Sequence, residues 1–302
     1  MRFKKLDLNL LVALDVLLEE QHITRASERL NMTQSATSGV LSRLRAYFED
    51  DLLVQVGRKM QPTSLALELA IPVREVLLKI NAEITTRPEF DPASSDRNFR
   101  IVTSDYLITI VLAGILSSIS VIAPSIRFEF LSPSSNTDDL LSRGEVDMLI
   151  IPERYVDTSH PNQFLFEEET ACAVWNDNPL VGDTLSFEQY LEMGHISVGF
   201  GRGLVPSIEE SLINEYGISR RIETLSHDFN TLPQLLVGTN RIVTTHKRLL
   251  TRYAEYLPIR LLPTPVHLPP TREHMVWHRS MDNDSMLRWL REQISDYAST
   301  MA

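Results

Sequence analysis

The hydrophobic period of this 302-residue chain changes once, near residue 90. Before that point apolar residues recur mainly at three- and four-residue steps. After Phe99, short apolar runs of strand length alternate with helical stretches. One core cannot serve both patterns, so at least two modules are expected, as the length alone suggests. The segment Pro88-Glu-Phe-Asp-Pro-Ala-Ser-Ser-Asp96 between them is rich in proline, serine and acid and reads as a connector.

The N-terminal pattern is the more informative. Asp7 can cap a helix carrying Leu10, Leu11, Leu14, Leu17 and Leu18. A short helix follows, with Thr24 as a cap and Ile23, Ala26 and Leu30 on one face. Asn31-Met32 makes a turn, and Thr33 can cap a longer helix from Gln34 to about Phe48. On that third helix Ala36, Val40, Leu44 and Phe48 would pack inward. Gln34, Ser35, Ser38, Ser42 and Arg45 would share the opposite face, with no carboxylate until Glu49. Amide, guanidinium and hydroxyl groups so arranged suit a major groove, although a solvated face would look much the same. The stretch Asp51–Thr63 then alternates as a hairpin, with Gly57 at the turn beside Arg58 and Lys59. A basic hairpin directly after a helix-turn-helix describes a wing.

The residues Leu8-Asn9-Leu10-Leu11, Thr24-Arg-Ala-Ser-Glu-Arg-Leu30, Thr33-Gln-Ser-Ala-Thr-Ser38 and Pro62-Thr63 resemble the N-terminal signature of LysR-type transcriptional regulators. The opening Met1–Asp15 and Arg43-Leu-Arg-Ala-Tyr-Phe48 are similar to the NodD-type branch. Ser35 stands where many members carry proline, and Arg45 where many carry glutamate. The outer face, the wing and the resemblance together assign double-stranded DNA contact to Thr33, Gln34, Ser35, Thr37, Ser38, Ser42, Arg43, Arg45 and Arg58.

The net charge of −11 looks wrong for a DNA binder, but it is unevenly placed. Residues 1–60 hold nine basic and eight acidic side chains, a net of +1, leaving −12 to the rest. A near-neutral module can bind DNA if its cations share a face.

From Ser64 to about Arg87 the pattern is helical, with Leu65, Leu69, Val73, Val76, Ile80 and Ile84 in a stripe and Pro72 as an interruption. Either its own module or a second copy must cover that stripe. The resemblance implies the second, hence a homodimer or homotetramer on a pseudo-palindromic operator. Expected boundaries are 1–63 for the winged helix-turn-helix, 64–90 for the linker helix and connector, and 91–302 for an effector domain.

In the effector domain the alternation predicts α/β structure with mainly parallel sheets. The resemblance, carried also by Asp139-Leu-Leu-Ser-Arg-Gly-Glu-Val-Asp-Met-Leu-Ile150, implies two α/β lobes like a type 2 periplasmic binding protein. One lobe would span 98–168 plus 271–302, and the other 169–270. A last helix is expected at Asn283–Ala298. Ligands of such sheets sit beyond the strand ends. Residues just after each strand give Ser104, Asp105 and Tyr106; Ser132 and Pro133; Gly201 and Arg202; His227 and Phe229; and Thr245 and His246. Ser104 and Asp105 read equally well as helix caps, His227 with Asp228 as a turn pair, and Arg202 as an internal ion pair. The mixture suits a small aromatic bearing phenol or carboxylate groups. The resemblance points the same way, since NodD-type relatives respond to flavonoids, salicylate or other phenolics, and it implies an activator that can contact RNA polymerase.

Other signals lead nowhere. Cys172 is the single cysteine and sits in an apolar run, so neither a disulfide framework nor a multi-cysteine metal site is expected. Gly199-Phe-Gly-Arg-Gly203 lacks dinucleotide or phosphate-loop spacing. His274 and His278 fall four apart in a strand-like run, too far apart to share a metal. Glu167-Glu168-Glu169 reads as a solvated loop, and no catalytic constellation or cofactor site is found. No apolar run approaches a membrane span and no signal peptide is evident, which suggests a cytoplasmic protein. A two-lobe solute-binding protein or enzyme with an incidental helical bundle is the competing reading.

Overall fold

The computed structural model describes residues 7–56, 59–81, 84, 91–200 and 205–301. The chain divides into two compact units, 1–87 and 88–302.

In the first unit, Asp7 caps helix α1 (Leu8–Glu20) by accepting the Asn9 amide. Helix α2 (Ile23–Arg29) leads to α3 (Gln34–Phe48), which Thr33 caps by accepting the Ala36 amide at 3.2 Å. Strands β1 (Leu53–Val56) and β2 (Lys59–Pro62) pair antiparallel, and Thr63 caps α4 (Ser64–Ile80). Leu14, Leu17, Ala26, Leu44, Leu52, Leu53 and Ala66 form a core with no exposure at all. Arg74 of α4 ties that helix to α1 through Asp15 at 2.7 Å and Glu19 at 3.0 Å.

Two expectations fail here. Ala36 is exposed, and the inward row of α3 is Thr37, Val40, Leu41, Leu44 and Phe48. The row starts one residue later because Thr37 donates its hydroxyl to the Thr33 carbonyl at 3.1 Å and so can be buried. On α4 the inward residues are Ala66, Leu69, Val73 and Leu77, so the expected stripe member Val76 is exposed, as are Leu67 and Ile71. Pro72 lies inside α4 and leaves the Glu68 carbonyl without its helical donor.

The second unit opens with β3 (Asn98–Thr103), α5 (Asp105–Leu107), one π turn at Ile108–Leu112, and α6 (Ala113–Ile122). Asp105–Ile122 is continuous, and by length and composition alone it could cross a membrane. Here Leu107, Val111, Leu112, Ile115 and Ile119 are buried within the lobe. There follow β4 (Arg127–Leu131), α7 (Thr137–Ser142), β5 (Met148–Pro152), β6 (Asn162–Glu168) and β7 (Thr170–Trp175). Next come α8 (Phe187–Glu192), β8 (Gly194–Phe200), β9 (Val205–Pro206), α9 (Ile208–Glu215) and β10 (Arg221–Ser226). The unit closes with β11 (Ile242–His246), α10 (Lys247–Ala254), β12 (Ile259–Leu262), β13 (Thr271–Trp277) and α11 (Ser285–Ser299).

These strands form two sheets, ordered β4-β3-β5-β13-β6 and β10-β8-β11-β7-β12. The chain passes from one to the other between β6 and β7 and returns between β12 and β13. The sheets are mixed, not mainly parallel. β4, β3 and β5 are parallel, as are β10, β8 and β11, whereas β13 and β6 in one sheet and β7 and β12 in the other join antiparallel. These four strands flank the two crossings between the sheets, and β7 and β13 arrive directly from the other lobe, without the crossover helix that parallel pairing requires. Residues 232–237 hold only a 3₁₀ turn, at Gln234–Leu236. Glu168 is no loop residue: it ends β6 and is buried.

The inward row of α3 can be checked by denaturant unfolding. Leu44→Ala should cost about 2–5 kcal/mol, whereas Ala36→Ser should change stability by no more than about 0.5 kcal/mol.

Candidate DNA surface and interlobe cleft

On α3 the side chains of Gln34, Ser35, Ser38 and Ser42 are exposed, Ser42 donating to the Ser38 carbonyl at 3.1 Å. Thr33 is exposed, and its hydroxyl lies 3.1 Å from that of Ser35. Arg43 is exposed and reaches Asp7 at 3.3 Å, a surface pair that a phosphate could displace. Two expected DNA residues are placed otherwise. Thr37 is fully buried and cannot meet a base. The Arg45 guanidinium donates to the carbonyls of Asp51 at 2.8 Å and Leu53 at 2.6 Å, so it roots the hairpin and does not present its fork to a groove. Asp50 completes that root by accepting the Leu52 amide and the Thr63 hydroxyl, both at 2.6 Å. Arg58 and the Gly57 turn lie outside the described residues.

In the second unit a cavity of about 470 Å³ opens between the two sheets. Its walls include Ser104, Pro133, Thr137, Phe200, Phe229 and His246, with Glu273 also lining it. Of the expected effector residues, it therefore gathers Ser104, Pro133, Phe229 and His246. The Ser104 hydroxyl also caps α5, taking the Leu107 amide at 3.4 Å.

The others do different work. Asp105 accepts the amides of Phe229 at 3.0 Å and Asn230 at 2.8 Å, a staple from one lobe to the other. Tyr106 is fully buried; its ring stacks on His246 at 3.8 Å, and its hydroxyl donates to Glu168 at 2.5 Å. His227 lies 3.3 Å from the Gly199 carbonyl and does not line the cavity. Gly201 and Arg202 lie outside the described residues. A larger groove of about 820 Å³ runs past Glu167, Glu169, Lys247 and Arg252, and Lys247 pairs there with Glu169 at 2.5 Å.

Residues 8–67 match the bacterial regulatory helix-turn-helix protein, lysR family, and residues 93–299 match the LysR substrate binding domain. The chain belongs to the LysR family of transcriptional regulators. It is 41% identical over its whole length to nodulation protein D 1 of Bradyrhizobium diazoefficiens, covering 96% of that protein. Identity is also 41%, again over the whole chain, to nodulation protein D 1 of Rhizobium tropici, of which 98% is covered. Among solved structures, a full-length OxyR variant from Pseudomonas aeruginosa shares the fold with a TM-score of 0.72 at 16% identity, over 97% of this chain and 94% of that one. CbnR bound to its target DNA does so with a TM-score of 0.52 at 13% identity, over 97% and 100%. This LysR regulator thus joins a DNA-binding helix-turn-helix to an effector-binding domain.

Near the regulator's cleft lie three buried acids that sequence reasoning missed, of which Glu273 lines it. Glu168, Glu209 and Glu273 are all buried, at 1%, 2% and 2% exposure. Glu168 is fully engaged: besides Tyr106, it takes the Arg248 amide at 3.0 Å and guanidinium at 2.6 Å. Glu209 Oε1 lies 3.4 Å from His246 Nε2, without the alignment of a hydrogen bond. Burial pushes the Glu273 carboxyl up to about 8, with Glu209 and Glu168 adding to the shift. Burial also raises the Tyr106 hydroxyl well above its ordinary range, and it pushes the Cys172 thiol up to about 12, so that thiol is inert. An acid beside Arg272 at the head of the apolar Met275-Val-Trp277 was the signal for Glu273.

Glu273 makes stability fall as pH rises. Folded, its carboxyl stays neutral to about pH 8; unfolded, it ionises near 4.5. Stability is therefore lost between those values. Thermal melts of Glu273→Gln should show a gain in Tm over wild type that is larger at pH 8 than at pH 5. An equal gain at both would contradict a neutral buried Glu273.

Proposed function

We propose that the regulator senses a small aromatic effector in the interlobe cleft and acts as an activator on a pseudo-palindromic operator. The observation that carries this is the cavity itself: about 470 Å³, walled by Phe200, Phe229 and Pro133, with His246 and Ser104 as polar groups. That size and lining suit a ring system whose few polar substituents meet a few fixed partners. The domain acts as a sensor, the role favoured by its match to the LysR substrate binding domain over residues 93–299.

Gln34, Ser35, Ser38 and Ser42 meet base edges or phosphates in the major groove, while Thr33, Arg43 and Arg58 serve the backbone. Arg45 acts on DNA indirectly, by rooting the wing. The exposed Leu67, Ile71 and Val76 on α4 favour pairing with a second copy, as a homodimer or higher homo-oligomer, and hence two recognition helices per operator. Effector binding shifts the lobes, which are joined by the Asp105 staple and by an Arg154–Glu215 ion pair. That shift changes how the paired helices meet DNA and RNA polymerase. The protein works in the cytoplasm.

Gel-shift and footprint titration on DNA upstream of its own gene, with a panel of phenols, hydroquinones, benzoates and flavonoids, tests the reading. One compound should change the footprint; specific binding untouched by every compound would remove the aromatic effector. Ile71→Glu should turn the oligomer into monomer in sedimentation and weaken operator binding about 100-fold or more, as expected when two half-sites are no longer bound together. Unchanged oligomeric state would contradict pairing through α4.

A further inference from the structure

The three buried carboxyls under the cleft differ in one respect. Glu168 is satisfied by Tyr106 and Arg248. Neither oxygen of Glu209, nor Oε2 of Glu273, has a hydrogen-bond partner among the described residues. Leaving a buried carboxyl unpartnered is costly, so each such group calls for an explanation. Glu273 lines the cleft, on the strand that returns from the second lobe, and Glu209 sits beside the cleft residue His246 from the other lobe. Two carboxyls from opposite lobes thus lack a full set of partners among the described residues.

We infer that Glu273 and Glu209 are the specificity residues of the cleft, taking a hydrogen-bond-donating hydroxyl of an uncharged phenolic ligand and rejecting organic carboxylates. The inference rests on the aromatic-effector reading and narrows it. A phenolic hydroxyl can donate to a carboxylate, and it can also accept from a neutral carboxyl while donating to its neighbour. A carboxylate ligand would have to give up its hydration and join Glu209 and Glu168 at a buried site. The cations nearby do not rescue it. Arg248 is held by Glu168, and Arg154, the one guanidinium among the described lining residues, pairs with Glu215. Because the two acceptors belong to different lobes, a ligand donating to both would bridge the lobes.

The test is a binding titration on the full-length protein, by ligand-induced fluorescence change. Matched sets of an uncharged phenol, its O-methyl ether and the corresponding benzoate are used, on one-ring and flavone scaffolds. The wild type should bind one phenol about tenfold or more tighter than its ether, the loss expected for one hydrogen bond to a buried acid, and should bind the benzoate more weakly still. In Glu209→Gln, near-isosteric, the preference for phenol over benzoate should fall about tenfold or more, because the amide can donate to a carboxylate; Glu273→Leu, which removes the neutral carboxyl's hydrogen bonds, should erase the preference for phenol over ether. Equal binding of ether and phenol, a wild-type preference for benzoate, or selectivity unchanged in both variants would overturn this assignment alone. If no member of any set binds while DNA binding is intact, the aromatic reading falls and this assignment falls with it.

Discussion

The carboxyl of Glu168 is the point on which the effector domain turns. It ends β6, the last strand before the chain leaves the first lobe, and its oxygens hold the Tyr106 hydroxyl on one side and the Arg248 guanidinium and amide on the other. The pair is costly to break, because Glu168, almost wholly buried, would be left without compensation, whereas Arg248 is partly open to water. Tyr106 then stacks on His246, and His246 packs edge-on against Phe229, whose amide is held by Asp105. A continuous set of contacts thus runs from the crossover, beneath the cleft, to the far staple. Whatever fills the cavity rests on this set, so occupancy and lobe geometry are linked through side chains that pack in discrete arrangements.

The DNA-binding unit follows a different logic. There one helix serves two purposes, and hydroxyls decide the division. Thr37 is drawn into the core because the helix backbone can take its hydroxyl, which leaves the neighbouring Gln34, Ser35 and Ser38 outside. The wing depends on polar roots more than on its own length. Arg45 and Asp50 fix where the hairpin begins and where α4 starts, since Asp50 holds the Thr63 that caps α4.

Much of this was legible in the chain. The helix caps Asp7 and Thr33, the hairpin and the apolar run around Cys172 follow from local pattern, whereas the cap expected at Thr24 lies inside α2, which starts at Ile23. What was hidden depended on partners distant in sequence. Glu168 looked like one acid among three until Arg248, eighty residues later, was seen beside it. Asp105 and Tyr106 sit at the strand end where ligands are sought, yet their partners Asn230 and Glu168 claim them first. Arg45 offered a base-reading fork in sequence because nothing local revealed the two carbonyls it serves. Strand direction was misjudged for the same reason, since a strand that crosses between lobes carries no mark of its orientation.

The central claim is that a ligand in the interlobe cleft controls the complex with DNA. Footprinting the operator with wild type and with Pro133→Trp, which fills the cleft, in the presence and absence of an active compound tests it most directly. The account predicts that the wild-type footprint changes with compound, while the filled variant binds the operator and ignores the compound. A filled variant that still responds as wild type does would place the sensing site elsewhere and contradict the account.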